Sequence, residues 1–236
     1  MRLRRTRGGT VADRRVVWQA ASLLLAYPDE AFSRRLSVVD AALDTLPAPA
    51  RDPLRQCVNR LAAVDPLDAA VRYVDTFDWR RRRTLFLTYY TAGDTRGRGV
   101  ALLEFAQAYL AAGVTPPAGE LPDHLAVVLE FAATVDEDAG HRLLAAHRTS
   151  IDLLHDGLRK MDSPYAAVVD AVAATLPPPT EQDLLRARRV AMQGPPAEAV
   201  GLDPYPTPGP MPARAPGPIP LELTPNPRVL TGKGMS

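Results

Sequence analysis

The chain has 236 residues, of which 46% are hydrophobic and 23% are charged, and its formal net charge is +1. This length accommodates one domain of about 180 residues with a substantial core, together with an appendage. The balanced charge gives no general reason to expect nucleic acid as a partner, and no apolar run approaches the roughly 20 residues that span a bilayer, so we predict no stable membrane insertion.

The amino terminus combines basic residues with an apolar run and so imitates a secretion signal. Arginines stand at positions 2, 4, 5 and 7, and the run VVWQAASLLLAY follows. Asp13 and two further arginines separate the two parts, and no small-x-small cleavage site follows the run. The single cysteine, Cys57, can form no internal disulfide, which fits a reducing compartment. We predict a flexible basic segment at residues 1–10 and a cytoplasmic protein.

Apolar residues then recur at helical spacing. Thr10 and Asp13 resemble a capping box before the first helix, Pro28 ends it, and prolines at positions 47, 49 and 53 mark the connection after the second. The predicted buried stripes are, in chain order, Val16, Ala20, Leu23, Leu24 and Tyr27; Leu36, Val39, Leu43 and Leu46; residues 54–61; and Leu67, Val71 and Val74.

Residues 73–109 form the most informative segment of the chain. Asp78 is a good N-cap, and one face of the following helix is predicted to collect Trp79, Arg82, Phe86, Tyr89 and Tyr90. Four consecutive arginines at positions 80–83 spread around that helix and cannot make one basic stripe.

A corner between two helices is predicted at residues 90–94. Gly93 supplies the left-handed residue that commonly ends a helix, and Asp94 can cap the next one. Gly97 and Gly99 in the first turns of that helix cost roughly 1 kcal/mol each relative to alanine. Bare backbone at these positions permits close approach of another chain.

The helix after this corner carries apolar residues on two faces. Val100, Leu103 and Leu110 lie on one side, and Leu102, Phe105 and Tyr109 lie on another. Such a helix is predicted to be central, either packed between layers or with one face reserved for a partner.

The segment ELPDHLAVVLEFAA at residues 120–133 predicts another helix. Pro122 suits the first turn, Asp123 favours the helix dipole, and His124 falls off the buried stripe. The plain interpretation is a charged cap on an ordinary helix. The stripe consists of Leu125, Val128, Leu129 and Ala132.

The remaining helices lead into a proline-rich end. Their stripes comprise Leu144, His147, Ile151, Leu154 and Leu158, and then Tyr165, Val168, Val169, Val172 and Leu176. No alternating β-branched run indicates a sheet, so we predict an all-α fold. From position 191 onward 12 of the 24 prolines occur in 46 residues, which bury too little apolar surface to offset their ordering entropy. We predict a helical domain at 11–190 and an extended or disordered tail at 191–236, with docking of a tail segment on the domain as the alternative.

The sequence lacks the motifs of an enzyme. His147 and His155 lie about 12 Å apart along a helix, too far to share one metal. No paired cysteines, phosphate-binding glycine loop or nucleophile elbow occurs. We therefore expect no catalytic residue, no metal and no cofactor of the protein's own.

Two segments, TLFLTYYTAGDTRGRGVALLEFAQAYLAAG and ELPDHLAVVLEFAA, closely resemble the NarJ family of nitrate reductase molybdenum cofactor assembly chaperones. The wider class is the TorD-like redox-enzyme maturation proteins, whose E-x-P-D-H pattern corresponds to Glu120, Pro122, Asp123 and His124. The resemblance extends over about residues 17–176 and fades after them. It implies a single compact multi-helix domain of the TorD/NarJ-like type.

This resemblance also implies a function. A chaperone of this family is expected to bind the amino-terminal peptide of the apo catalytic (alpha) subunit of respiratory nitrate reductase. It would keep that subunit competent for molybdenum cofactor insertion and delay its docking at the membrane. Proteins that deliver the molybdenum cofactor are further candidate partners.

The predicted client-peptide site combines apolar walls with a polar rim. We expect that substituting Asp123 and His124 together weakens client binding and leaves thermal stability nearly unchanged. Plain core is the alternative for Phe86, Tyr89 and Leu103. The candidate residues are Phe86, Tyr89, Tyr90, Leu102 and Leu103 for the walls, Asp94, Arg96, Pro122, Asp123 and His124 for the rim and its turn, and Gly93 and Gly99 for the backbone shape.

Two other functions remain open from the sequence. The first is a general helical adaptor or scaffold without a role in cofactor loading. The second is direct carriage of the molybdenum cofactor, whose phosphate could meet the arginines at residues 80–83 and 96–98.

Overall fold

Helices dominate the part of the chain that the structure describes. The computed structural model describes residues 11–77, 83–115 and 119–196. These residues contain eleven α-helices and no strand, which confirms the all-α prediction. The helices are α1 (Val11–Leu25), α2 (Phe32–Leu43), α3 (Ala48–Ala62), α4 (Pro66–Phe77), α5 (Leu87–Ala92), α6 (Arg96–Ala111), α7 (Leu125–Thr134), α8 (Glu137–Ala146), α9 (Arg148–Arg159), α10 (Tyr165–Ala174) and α11 (Glu181–Gln193).

Several predictions concern residues outside the described ranges. They include the basic segment at 1–10 with Thr10 of the capping box, the helix start at 78–82, and the tail after Pro196. Helix α11 ends at Gln193, so the first three residues of the segment predicted to be extended are helical instead. All described helices belong to one unit, Met1–Glu198.

Helix α1 lies at the centre of the domain, where it packs against α2, α3, α7 and α10. The Trp18 side chain is fully buried, and its Nε1 donates a hydrogen bond to Thr175 Oγ1 at 2.8 Å. Ser22 Oγ donates to the Ala126 carbonyl at 2.8 Å. These two hydrogen bonds offset the cost of desolvating the polar groups that join α1 to α7 and to the end of α10.

Prolines 49 and 53 do not form the predicted connection, because α3 already begins at Ala48. Pro49 lies in the first turn, where a missing N–H costs nothing, while Pro53 gives up one intrahelical hydrogen bond. The face that α3 buries consists of Leu54, Cys57, Val58 and Leu61.

The predicted stripe of α4 was also wrong. The side chains of Leu67 and Val71 are 74% and 55% exposed, whereas Tyr73 and Phe77 are buried. Both rings contact Tyr165, with centroids 6.0 and 5.0 Å away respectively, and Tyr73 donates to the Leu25 carbonyl. Burying two aromatic rings outweighs burying one leucine and one valine, so the helix turns its aromatic face inward.

Helix α7 is almost entirely buried and packs closely on α8. Gly140 permits this approach, because an added Cβ there would lie 2.3 Å from Ala132 Cβ and 2.4 Å from Ala132 Cα. The clash is with a backbone, which cannot move aside as a flexible side chain would.

We expect Gly140→Ala to destabilise the protein by about 1–3 kcal/mol through overpacking, despite the better helix propensity of alanine. The measurement is chemical unfolding. Gly99→Ala is the matched control, because an added Cβ there has no described atom within 4 Å apart from the adjacent backbone of its own helix, and it should be neutral or stabilising by up to about 1 kcal/mol. Equal effects of the two substitutions would contradict the close packing of α7 on α8.

Candidate functional site

The predicted aromatic helix face is wrong at Phe86. Helix α5 begins only at Leu87, and Phe86 precedes it with extended backbone (φ −84°, ψ 110°). Phe86 forms an isolated antiparallel bridge with His124, and their ring centroids lie 5.4 Å apart. The chain before α5 is therefore tied to the start of α7.

Asp123 caps α5 across this bridge. Its Oδ2 accepts hydrogen bonds from the Thr88 backbone N at 2.9 Å and from Thr88 Oγ1 at 2.6 Å. The Asp123 carbonyl accepts from the Leu87 N–H, and Leu125 N–H donates to the Leu85 carbonyl. The carboxylate satisfies the Thr88 N–H of the first turn and interacts favourably with the helix dipole, and the Asp123 backbone carbonyl satisfies the Leu87 N–H. We call this arrangement the Asp123 clamp.

The clamp changes the interpretation of Asp123. Its side chain is fully buried, whereas the sequence analysis placed it on an accessible rim. It caps α5 rather than its own helix, whose N-cap is His124. His124 and Pro122 are half-buried, as a rim position requires. A residue that caps a helix distant in sequence cannot be recognised from local spacing.

Arg98 is part of the site, although the sequence analysis chose Arg96. Its Nε donates to Thr88 Oγ1 at 3.2 Å, so the Thr88 hydroxyl donates to Asp123 and accepts from Arg98. The guanidinium carbon lies 5.5 Å from the Phe86 ring centroid and 5.9 Å from that of Tyr89. Its i,i+4 spacing to Asp94, which it approaches to 3.5 Å, was the available sequence signal.

Two further side-chain hydrogen bonds hold the starts of α5 and α7 in place. Ser150 Oγ of α9 donates to the Leu87 carbonyl at 2.7 Å, and Tyr109 of α6 donates to the Pro122 carbonyl at 2.7 Å. His147 separates α8 from α9, which sequence spacing predicted as one helix, and its ring lies 4.8 Å from that of Phe105.

The corner at Gly93 exists as predicted, since α5 ends at Ala92 and Gly93 has φ +60°. Asp94 is not the next cap, because Thr95 takes the N-cap position of α6. The Thr95 side chain accepts no hydrogen bond from the first turn of that helix. The chain that approaches Gly93 closely is the protein's own: an added Cβ would lie 1.7 Å from the Pro196 carbonyl oxygen.

Helix α6 has two apolar faces, as its sequence predicts. Phe105 and Tyr109 are buried on the inner face. The outer face contains Val100, Leu103 and Leu110, whose side chains are 67%, 56% and 62% exposed. We call these three residues the α6 outer face. Among the other predicted wall residues Tyr90 is buried in the core, and Phe86, Tyr89 and Leu102 are half-buried. Arg96 and Gly99 are exposed.

An apolar pocket of about 220 Å³ opens between the carboxyl-terminal end of α6 and helix α7. Its lining includes Tyr109, Val114, Val127, Phe131 and Val135, with Glu130 as its charged residue. The described residues contain no cluster of three or more histidine, cysteine, aspartate or glutamate side chains suited to a metal ion. None of the helices described is both long and apolar enough to cross a bilayer.

The sequence pattern of the nitrate reductase delta subunit family matches residues 43–170, more than half of the chain. The chain belongs to this family. The sequence is 32% identical over 165 residues to NarJ of Bacillus subtilis, which is named as a probable nitrate reductase molybdenum cofactor assembly chaperone. The match covers 70% of the chain and 90% of that protein. Escherichia coli NarJ is also 32% identical, over 63% of the chain and 64% of its own length. The resemblance seen in the sequence is thereby confirmed.

A further relative is the nitrate reductase-like protein NarX of Mycobacterium tuberculosis, 54% identical over 160 residues. This match covers 68% of the chain but only 24% of NarX, so the chain spans about a quarter of that relative. A redox enzyme maturation protein from Archaeoglobus fulgidus has a similar fold, with a TM-score of 0.51, 22% identity, and coverage of 73% of this chain and 97% of the other.

We expect Asp123→Ala to destabilise the protein by about 2–4 kcal/mol, because it leaves buried donors of Thr88 without an acceptor. This corrects the expectation that Asp123 could be exchanged without loss of stability. Thermal and chemical unfolding measure the effect. Asp94→Ala removes an exposed carboxylate from the same region and should change the free energy of unfolding by less than about 1 kcal/mol. An Asp123→Ala protein as stable as this control would contradict the clamp.

Burial lowers the pKa of His147 from 6.5 to about 4, opposed in part by Asp123 and reinforced by Arg186. Between these two pH values the unfolded chain binds the proton more readily than the folded one, so His147 reduces stability as the pH falls from 6.5 towards 4. The loss should reach about 2 kcal/mol at pH 5. Unfolding free energies at pH 7 and pH 5 should differ less in His147→Phe than in the unmodified protein. If the unfolding free energy changes equally between pH 7 and pH 5 in both proteins, His147 is not the group that causes the pH dependence.

Proposed function

We propose that this protein is a cytoplasmic, non-catalytic maturation chaperone for a molybdenum-dependent nitrate reductase. It binds the amino-terminal peptide of the apo catalytic subunit, keeps that subunit competent for cofactor insertion and delays its docking at the membrane. Family membership supports the general role, since its NarJ relatives are named as molybdenum cofactor assembly chaperones. Contact with proteins that deliver the cofactor belongs to the same proposal.

The α6 outer face is the observation that carries the peptide-binding part of this proposal. Three large aliphatic side chains on one face of α6 are more than half exposed, although the opposite face of the same helix is packed in the core. Exposed apolar residues gathered on one rigid element are typical of a surface that binds a partner. The residues lie at steps of three and seven, the spacing that receives an amphipathic segment.

The strength of such binding can be bounded from the exposed area. Complete burial of a valine or leucine side chain contributes about 1.5–3 kcal/mol, and these three are already partly buried, so each adds about 1–2 kcal/mol. Association consumes part of this energy through lost translational and conformational freedom. The α6 outer face alone therefore supports weak, reversible binding, which suits a client that must be released after maturation.

The Asp123 clamp supports the same site by fixing its geometry. It holds the start of α5 against the start of α7, and Arg98 links α5 to α6 through Thr88. A surface positioned in this way loses little conformational entropy when a peptide binds. The protein must bind the open apo subunit more tightly than the finished enzyme. This difference in affinity would shift the client towards its cofactor-accepting state.

We expect Leu103→Asp to weaken binding of the client's amino-terminal peptide at least tenfold, because a charge would be buried against an apolar segment. The thermal midpoint should stay nearly unchanged, since Leu103 is exposed in the free protein. Isothermal titration calorimetry with the synthetic peptide measures the affinity. Leu67→Asp on α4 is the matched control, because Leu67 is equally apolar, 74% exposed and outside the site.

Capture of the client from cells tests the wider role. The unmodified protein should retain the cofactor-free catalytic subunit in preference to the loaded one, and Leu103→Asp should retain less of it than Leu67→Asp. Equal capture of loaded and cofactor-free subunit would favour the adaptor function instead. If Leu103→Asp and Leu67→Asp bind the peptide with the same affinity, the peptide does not bind at the α6 outer face.

A further inference from the structure

The segment formed by α11 and residues 194–196, which we call the α11 strap, ends on the candidate site. The strap begins with a capping box between Thr180 and Asp183. Asp183 also accepts a hydrogen bond from Thr149 Oγ1 of α9 at 3.3 Å. Just before it, Arg148 of α9 donates to the Pro177 carbonyl at 2.8 Å. These contacts place the strap along α9.

The strap is attached by few contacts. None of the residues of α11 is buried, and Leu185 and Met192 are 55% and 86% exposed. Its inner side, which includes Ala187 and Val190, is only half-buried. A helix with so little buried apolar surface belongs to the low end of local stability and opens before the core does.

The distal end of the strap covers the corner between α5 and α6. The Pro196 carbonyl oxygen lies where a Cβ of residue 93 would stand, 1.7 Å from that position, so only glycine accommodates it. Gly93 is itself held by its N–H, which donates to the Tyr89 carbonyl at 2.8 Å. Any foreign segment that reaches the bare backbone of this corner meets Pro196 first.

The strap also lies outside the part of the chain that matches the family pattern, which ends at residue 170. The helices that build the Asp123 clamp and the α6 outer face lie before that point, and so does α9, which supports the strap. The strap therefore contributes no residue to the clamp or to the α6 outer face.

We propose that the α11 strap is an intramolecular competitor of the client peptide at the corner between α5 and α6, and that its release from α9 opens this corner beside the α6 outer face, which is exposed in either state. This inference rests on the proposed function, because the client is the species excluded. The apparent affinity for a client scales with the fraction of molecules in which the strap is open.

A reversible cross-link tests this directly in the full chain. Thr149→Cys/Asp183→Cys replaces two hydrogen-bonded side chains by thiols, so that oxidation locks the strap on α9 and reduction releases it. The Asp183 cap is absent in both forms, so the two forms differ only in the cross-link. Cys57 does not interfere, because it is fully buried and burial raises the pKa of its thiol to about 12. Free-thiol counting gives the locked fraction, and the single Thr149→Cys variant under the same oxidation is the control.

We expect the oxidised double variant to bind the client's amino-terminal peptide at least tenfold more weakly than the reduced form, with affinity restored by reductant. Asp183→Ala should bind about three- to tenfold more tightly than Glu181→Ala, an exposed first-turn control, because loss of the cap loosens the strap. Amide hydrogen exchange in α11 should accelerate when peptide is added.

Two results would overturn the inference in different ways. Equal affinities of the locked and reduced forms, with peptide still binding, would reject the strap and leave the proposed function intact. Absence of peptide binding in every form, including the reduced double variant and the unmodified protein, would reject the proposed function and the strap with it.

Discussion

The rest of the site depends on one buried carboxylate. Asp123 satisfies the first turn of α5 from the start of α7, and the paired backbone bonds of residues 85–87 with residues 123–125 complete the contact. Without it, a six-residue helix too short to be stable alone would lose its fixed position. Because α5 carries Thr88, to which Arg98 binds, the same carboxylate also orients α6.

Helix α6 has to contribute to the core and, in our proposal, also to present an apolar surface. The structure assigns these two requirements to opposite faces of the helix. Phe105 and Tyr109 supply the core contacts that hold the helix, so the opposite side need not be buried for stability. The exposed leucines and valine are then available for the proposed peptide binding. The α11 strap is only weakly attached at the corner between α5 and α6. In our proposal, its contact with this corner can therefore be replaced by a contact of the client peptide of similar strength.

Sequence reasoning succeeded where a local pattern had a local cause. The positive φ of Gly93 and the two apolar faces of α6 follow from the conformational freedom of glycine and from residue spacing. It failed where the cause was distant. Asp123 was assigned to a rim although it caps another helix, and Phe86 was placed on a helix although a bridge to His124 keeps it extended.

The sequence by itself determined the helical class and the family, because helical periodicity and family motifs are local properties of the sequence. Only the tertiary structure decided which side of α4 is buried, which helix Asp123 caps and which residues of α6 stay exposed. These outcomes depend on partners tens of residues away, such as Tyr165 for Phe77 and Thr88 for Asp123. A contact of that kind is selected by competition among all surfaces of the folded chain, and no local spacing records it.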